Sequence, residues 1–199
     1  MKRLALGLST SLLLLCAGMA NSAVITYSAV LNGASEDPRN DSPATGRTSV
    51  LIDDVTNLMT VNATFSGLIG TTTVSHIHCC TLIPFRARAG VATSQPTFPA
   101  FPDGVTEASY SETFNLLNLA TYNTAFIDSN GGSVESARLA FLTGLAEGRA
   151  YLNIHTTAFP GGEIRGFLAE VPEPGSIALF GLGATGLAAL RRRRAAVTA

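Results

Sequence analysis

The sequence predicts a mainly β fold, a β-sandwich or Greek-key barrel with one helix. Short runs of alternating apolar and polar residues recur through the central part of the 199-residue chain. Glycine, proline, asparagine and aspartate separate these runs, which is typical of strands joined by turns. Only one central segment has helical periodicity instead. Many short strands with turn signals between them indicate a sandwich or barrel.

Three strands are predicted in the first third of the central part. Residues 24–31 form the first, and a polar, turn-rich loop follows over residues 32–45. Residues 46–53 and 58–65 form the next two, with a turn at residues 54–57 between them. The third alternates over its whole length and gives the strongest signal of the three. The short turn predicts that the second and third strands pair as an antiparallel hairpin.

The middle of the chain is less regular. Residues 71–80 predict a fourth strand, and a long loop with four prolines follows over residues 81–103. Loops of this length are usually functional or mobile. Residues 105–114 predict another strand, whereas the pattern over residues 116–126 is ambiguous.

The predicted helix covers residues 133–146. Ser133 is a good N-cap, and Glu135 suits the positive end of the helix dipole in the first turn. Gly148 follows where a helix commonly ends. The apolar residues fall on one stripe, as expected for a helix packed on a core: Val134, Ala137, Phe141, Leu142 and Leu145.

A final hairpin is predicted from residues 150–155 and 163–168. Pro160-Gly161-Gly162 lies between the two runs, and proline followed by glycine favours a turn. Strand alternation places the apolar residues on one face, packed on a core. The opposite face gathers the polar side chains His155, Glu163 and Arg165.

Both ends of the chain carry targeting signals. Residues 1–23 have a basic start, an apolar run and small residues near Ala20 and Ala23, which together predict a signal peptide with its helix. At the other end, Val171-Pro172-Glu173-Pro174 precedes an apolar segment at residues 175–190 and four arginines at residues 191–194. We expect this segment to be a transmembrane helix, slightly short for a bilayer, with the arginines in the cytoplasm.

Residues 171–199 resemble a PEP-CTERM sorting segment. Val171, Pro172, Glu173 and Pro174 are the motif, and the apolar segment and arginine cluster follow in the same order as in that family. The resemblance implies recognition by an exosortase-type membrane protease. It also implies a precursor anchored in the inner membrane, and then release to the cell envelope or the exterior.

The charge of the central part excludes some partners. Residues 24–170 contain seven basic and 13 acidic residues, a net charge of −6, and no lysine. Such a surface argues against nucleic acid or anionic lipid as partner, and it repels anionic substrates.

The three histidines of the chain are the candidate metal ligands. His76 and His78 are two residues apart on a predicted strand, so their rings share one face, and Cys80 has the same parity. Imidazole and thiolate are ligands for copper and zinc. His155 is expected to complete the site, with Glu163 behind it as a hydrogen-bond partner.

A purely structural role is the alternative for these residues. Half-buried histidines that bond to carbonyls or pair with Glu163 stabilise a β fold by about 1 kcal/mol each. Cys79 and Cys80 are the only cysteines after signal-peptide removal. Adjacent cysteines are closer than a disulfide normally requires, so a disulfide between them and an intermolecular disulfide both stay open.

Residues 24–170 resemble a CHRD domain. The resemblance is carried by Ser75-His76-Ile77-His78, by the segment at residues 148–156 with its Tyr-x-Asn-x-His-Thr pattern, and by Gly-Gly-Glu-Ile-Arg-Gly at residues 161–166. It implies an immunoglobulin-like β-barrel, distantly similar to copper–zinc superoxide dismutases. Cys79 and Cys80 depart from the glycines that are common at this point in the family.

We therefore expect an exported, non-enzymatic CHRD-domain protein of the bacterial envelope or extracellular matrix, without a cofactor. An exopolysaccharide or a matrix protein is the expected partner there. The alternative is a copper- or zinc-binding protein, redox-active or not, that uses His76, His78 and His155. Superoxide dismutase itself is disfavoured, because a two-metal site needs more than three histidines and the net charge of −6 repels superoxide.

Overall fold

The computed structural model describes residues 24–172, and it confirms the mainly β fold. Eight strands form one antiparallel sheet that curves into a half-barrel, with one main helix. The strands are β1 (Ile25–Asn32), β2 (Thr45–Asp53), β3 (Leu58–Ser66), β4 (Thr72–His78), β5 (Ala108–Asn115), β6 (Tyr151–Thr156), β7 (Ile164–Phe167) and β8 (Ala169–Glu170).

The order across the sheet is β4-β6-β7-β1-β2-β3-β5, and β8 continues beside β1 after β7. The predicted β2–β3 hairpin is confirmed, with an unbroken register from Thr45 opposite Ser66 to Asp53 opposite Leu58. β4 and β6 are neighbours although a long stretch of sequence separates them. This pairing decides the position of the histidines.

The core fills the inner face of the curved sheet. Alternate residues of β2 and β3 point inward as their patterns predict, including Val50, Ile52 and Val61. Ile77 of β4 and Leu152 of β6 are fully buried and directly opposite each other. Burial of such side chains supplies most of the stabilisation of a domain of this size.

The main helix α2 (Val134–Ala146) has the predicted N-cap. Ser133 and Ser136 form a capping box, in which each side chain bonds to the other residue's backbone. The helix buries Ala137, Phe141, Gly144 and Leu145 against the core. A shorter helix α1 (Thr124–Ser129) lies before it and begins inside the stretch at residues 116–126 that the sequence pattern did not assign.

Two regions differ from the sequence-based expectation. β4 ends at His78, and residues 79–107 run as a long covering loop to β5, which starts at Ala108. The final hairpin forms as predicted, but β6 is buried on both faces over its whole length. Loops cover its second face, and this places the histidines in the interior.

The predicted signal peptide, the segment at residues 175–190 and the arginines at 191–194 lie outside the described residues, as do Glu173 and Pro174 of the sorting motif. Val171 and Pro172 end the described part and are exposed. Within residues 24–172, no helix has the length and apolar character needed to cross a membrane.

Candidate metal centre

The candidate site lies on the face of β4, β6 and β7 that is opposite the core. His76 of β4 is directly across from Asn153 of β6, which in turn faces Arg165 of β7. His78 is across from Tyr151 in the next row. His155 follows Asn153 on the same face by strand alternation. The three histidines therefore come together from two neighbouring strands.

The rings converge closely. His155 Nε2 lies 3.1 Å from His76 Nε2, and one ligand nitrogen from each of the three rings lies within 4.8 Å of the others. Nitrogen ligands of a tetrahedral zinc ion are about 3.3 Å apart, given metal–nitrogen bonds of about 2.05 Å. The His76–His155 pair already has this spacing.

Backbone carbonyls fix the protonation of two of the rings. His78 Nδ1 lies 2.8 Å from Ala89 O, and His155 Nδ1 lies 2.8 Å from Pro160 O. A carbonyl oxygen only accepts hydrogen bonds, so each Nδ1 carries the proton and donates. The Nε2 atom of each neutral ring then carries the lone pair that can bind a metal. This atom has no partner in His78, and in His155 it faces His76 Nε2. Hydrogen bonds of this kind commonly orient histidine ligands.

The surroundings keep the rings neutral. Burial, with the neighbouring rings of His78 and His155, lowers the pKa of His76 to about 3. The backbone of Pro96 has the opposite, smaller effect and raises the pKa of His76. His76 Nδ1 nevertheless has no hydrogen-bond partner. Burial is also the main cause that lowers the pKa of His78 to about 4 and that lowers the pKa of His155. Neutral imidazole is the form that binds metals.

Unpartnered polar atoms concentrate at this face. Within residues 24–172, five buried side-chain nitrogen or oxygen atoms lack a hydrogen-bond partner, and four of them belong to this neighbourhood. Such atoms in a native fold call for an explanation, and an ion or a water is the usual one. The donor set of three neutral imidazoles fits copper or zinc. The four atoms are His76 Nδ1, His78 Nε2, Asn153 Oδ1 and Glu36 Oε1.

Cys80 does not join the cluster of potential ligands, which within the described residues consists of the three histidines. Its sulfur is bonded to Cys79 in a disulfide across a cis peptide bond. A disulfide sulfur is no longer the thiolate that acts as a metal ligand. The disulfide packs against Gly144 of α2, where a Cβ would overlap both sulfur atoms.

Tyr151 and Arg165 form the wall behind His78. The His78 and Tyr151 rings stack with centroids 4.7 Å apart and planes at 6°. The Arg165 guanidinium lies 4.7 Å from the Tyr151 ring centre, and it also donates from Nη1 to Ala87 O. β6 separates β4 from β7 in the sheet, so His78 and Arg165 approach Tyr151 from opposite sides. Stacking of this kind holds the His78 ring in its orientation.

Glu163 does not stand behind His155, contrary to the sequence-based expectation. Its carboxylate accepts hydrogen bonds from the hydroxyls of Ser42 and Thr156 and from the amides of Ile69 and Gly70. Burial alone would raise the pKa of Glu163, but these four donors together lower it. Glu163 therefore ties two separate loops to the hairpin, and Pro160 O takes the expected place beside His155.

The hairpin turn needs glycine at position 162. Gly162 has φ +124°, and a Cβ there would lie 2.6 Å from the Asn153 amide group and 2.8 Å from Glu36 Oε1. Glu36 is buried, and its other oxygen lies 3.8 Å from Arg165 Nε. Burial outweighs the Arg165 charge and raises the pKa of Glu36 to about 7. No sequence pattern pointed to Glu36, because this residue lies in a polar loop far from the hairpin in the chain.

One known protein family matches the part of the chain that forms the sheet, the helix α2 and the histidine cluster. The CHRD domain family matches residues 27–168, which covers most of the chain and contains all three histidines. The chain belongs to the CHRD domain family. The CHRD domain thus comprises the half-barrel, α2 and the candidate metal centre.

The PEP-CTERM protein-sorting motif matches residues 170–194, directly after the CHRD domain. This CHRD protein is therefore exported and is processed at the membrane by an exosortase-type system. No curated protein matches the chain.

Proposed function

We propose that this exported CHRD protein is a non-enzymatic metal-binding protein that holds one copper or zinc ion through His76, His78 and His155. The observation that carries the proposal is the buried convergence of three neutral imidazoles, in which His76 Nδ1 and His78 Nε2 have no hydrogen-bond partner and His155 Nε2 contacts only His76 Nε2. Two of the rings have Nδ1 occupied by a backbone carbonyl, which leaves Nε2 for the ion.

The residues around the cluster have defined tasks in this proposal. Ala89 O and Pro160 O set the tautomers of His78 and His155, and Tyr151 holds the His78 plane. The widest nitrogen separation, 4.8 Å, exceeds the spacing of ligands on one ion. We expect binding to draw the rings together slightly. A bound copper would supply one-electron redox chemistry, and a bound zinc would supply none.

Elemental analysis of the exported protein, purified from its producing cells, tests the proposal. We expect about one equivalent of copper or zinc per chain, because the three histidines form one site. Single His76→Ala and His155→Ala variants should lose it. A folded wild-type protein that stays metal-free after titration with Zn²⁺, Cu²⁺ and Cu⁺ would overturn the metal assignment.

We propose the envelope or the extracellular matrix as the final location, with exopolysaccharide or a matrix protein as partner there. The sorting motif supports this, because its processing separates the domain from the anchor segment. Fractionation of cells with and without exopolysaccharide synthesis tests it. Retention of the mature domain in the inner membrane in both strains would contradict it.

A further inference from the structure

One end of the half-barrel collects both termini of the CHRD domain. In the strand register, Ile25 faces Ile52, Leu58 faces Asn115, and Tyr151 faces both His78 and Phe167. The start of β1, the β2–β3 turn, the ends of β4 and β5, the start of β6 and the end of β8 therefore lie at the same end. We call this end the terminal rim.

The terminal rim carries most of the exposed apolar side chains. Twelve large apolar residues are exposed within residues 24–172, and all except Val30, Ile69, Phe85 and Leu139 lie at this rim. They come from both ends of the domain and from the loops that follow β2, β4 and β5. Single exposed apolar residues need no explanation, but a concentration on one surface marks an interaction site.

The loop after β4 is the most prominent part of the rim. Leu82 is 90% exposed, and Ile83 and Phe85 are more than half exposed. The loop is nevertheless held firmly, because Phe85 N donates to Gly148 O at 2.8 Å and the Phe85 ring meets the Phe167 ring edge-on. The protein thus presents apolar side chains in a fixed position, without burying them in its own core.

The course of the chain identifies what covers this surface. Val171 donates from its amide to Thr26 O at 2.7 Å, so the chain leaves the domain at the terminal rim. The sorting motif matched at residues 170–194 begins there, and its apolar segment starts only a few residues later. The rim is therefore the part of the domain nearest to the membrane in the unprocessed precursor.

We propose that the terminal rim rests on the lipid bilayer, with Leu82 and Ile83 inserted among the lipid headgroups, while the precursor awaits processing. This contact is independent of the metal. Charges at the rim are mixed: Arg86 is exposed near the loop, and Asp54 and Glu170 are exposed on neighbouring segments. Insertion should therefore depend on apolar contact and not on anionic lipid.

The absence of tryptophan from the chain gives a clean test. Ile83 and Ile69 have nearly equal exposure, 55% and 57%, but Ile69 lies in the β3–β4 connection at the opposite end of the sheet. Ile83→Trp and Ile69→Trp are therefore matched probes. Each full-length variant is reconstituted into phosphatidylcholine vesicles, with and without brominated acyl chains, which quench tryptophan by contact.

We expect Ile83→Trp to show a blue-shifted emission and to lose most of its intensity with brominated lipid, unchanged by high salt. Ile69→Trp should emit as a water-exposed tryptophan in both vesicles. Leu82→Trp should behave as Ile83→Trp does. Equal quenching of Ile83→Trp and Ile69→Trp, or none in either, would overturn the proposal. A concentration-dependent blue shift of Ile83→Trp that brominated lipid leaves unquenched would also overturn it, in favour of contact between two copies of the chain.

Discussion

His155 Nε2 lies 3.1 Å from His76 Nε2, although the two residues are 79 positions apart in the sequence. The contact exists only because β4 pairs with β6. His155 is opposite Val74 in that register, and its ring reaches diagonally across the strand to His76. A slip by one residue would send either ring to the other face of the sheet. The candidate centre therefore depends on the register of one strand pair.

The first prediction separates the histidines from the neighbouring cysteine. His155→Ala should abolish stoichiometric copper or zinc, because it removes one of three ligands. Cys80→Ser should retain the full metal content, since Cys80 is in a disulfide and outside the cluster. Metal analysis of both folded variants provides the measurement. Loss of metal in Cys80→Ser alone would show that the thiolate is a ligand.

The second prediction concerns acid and the metal-free protein. His76 has its pKa lowered to about 3 in the fold, from an ordinary value of 6.5. As pH falls below 6.5, the unfolded chain takes up a proton that the folded chain refuses, so this residue makes stability fall with falling pH. The contribution approaches about 1.4 kcal/mol per pH unit until the folded pKa is reached.

Urea unfolding at several pH values between 7 and 5, with a chelator present, measures this effect. His76→Gln should show a smaller loss of stability toward acid pH than the wild type does. The quantity to compare is the slope of the free energy of unfolding against pH in the two proteins, because other groups also titrate in this range. Identical slopes for the two proteins would mean that His76 is protonated without cost in the fold.

Glu36 should act in the opposite direction. Its pKa is raised to about 7 from 4.5, so the folded state holds its proton more firmly than the unfolded state. Stability from this residue is present below pH 4.5 and is lost as pH rises to 7. The free energy of unfolding of Glu36→Gln, relative to that of the wild type, should therefore increase from pH 5 to pH 8. Thermal melting at both values tests the sign, and a pH-independent difference would contradict it.

The fourth prediction distinguishes a structural carboxylate from a metal partner. Glu163→Gln places an amide NH₂ group where four donors converge on oxygen, so at least one contact becomes unfavourable. We expect a loss of about 1–3 kcal/mol in the free energy of unfolding. The metal content should stay unchanged. A variant with normal stability and reduced metal would restore Glu163 to a place beside His155.

The fifth prediction concerns the contact between α2 and the disulfide. Alanine favours a helix over glycine by about 1 kcal/mol. At position 144, however, a Cβ would overlap both sulfur atoms, and overpacking costs about 1–3 kcal/mol. Gly144→Ala should therefore be destabilising in denaturant unfolding.

Two control experiments test whether the disulfide causes this loss of stability. Gly161→Ala should be close to neutral, because a Cβ there meets no atom within 4 Å. In a protein with alanine at positions 79 and 80, Gly144→Ala should become neutral or stabilising, since the sulfur atoms are gone. A Gly144→Ala cost that is equal in both backgrounds would rule out the disulfide as its cause.

Local patterns were enough to predict most of the strands and α2. Alternation in β2 and β3 reports a real difference between a buried and an exposed face, and Ser133 acts directly on the helix it begins. Strand parity also placed His76 and His78 on one face. These features depend on residues close together in the sequence, which is why the sequence reveals them.

The surroundings of the site depend on distant contacts, and local patterns do not encode these. Strand alternation placed the polar residues of β6 on the face opposite the core, but it could not show that the loops at residues 33–42 and 79–107 cover that face. Glu163 was assigned to His155 because both lie on the hairpin, whereas its partners come from Ser42, Ile69 and Gly70. Glu36 could not be recognised at all without the fold.

The pairing of β4 with β6 also bears on where the protein would acquire the proposed ion. His76 and His78 are made long before His155, and neither strand alone brings three ligands together. A chain that crosses the membrane before this pairing forms carries no assembled site through the cytoplasm. Metal loading would then draw on the supply outside the cell membrane, and the ion found in the protein would report the metal chemistry of that compartment.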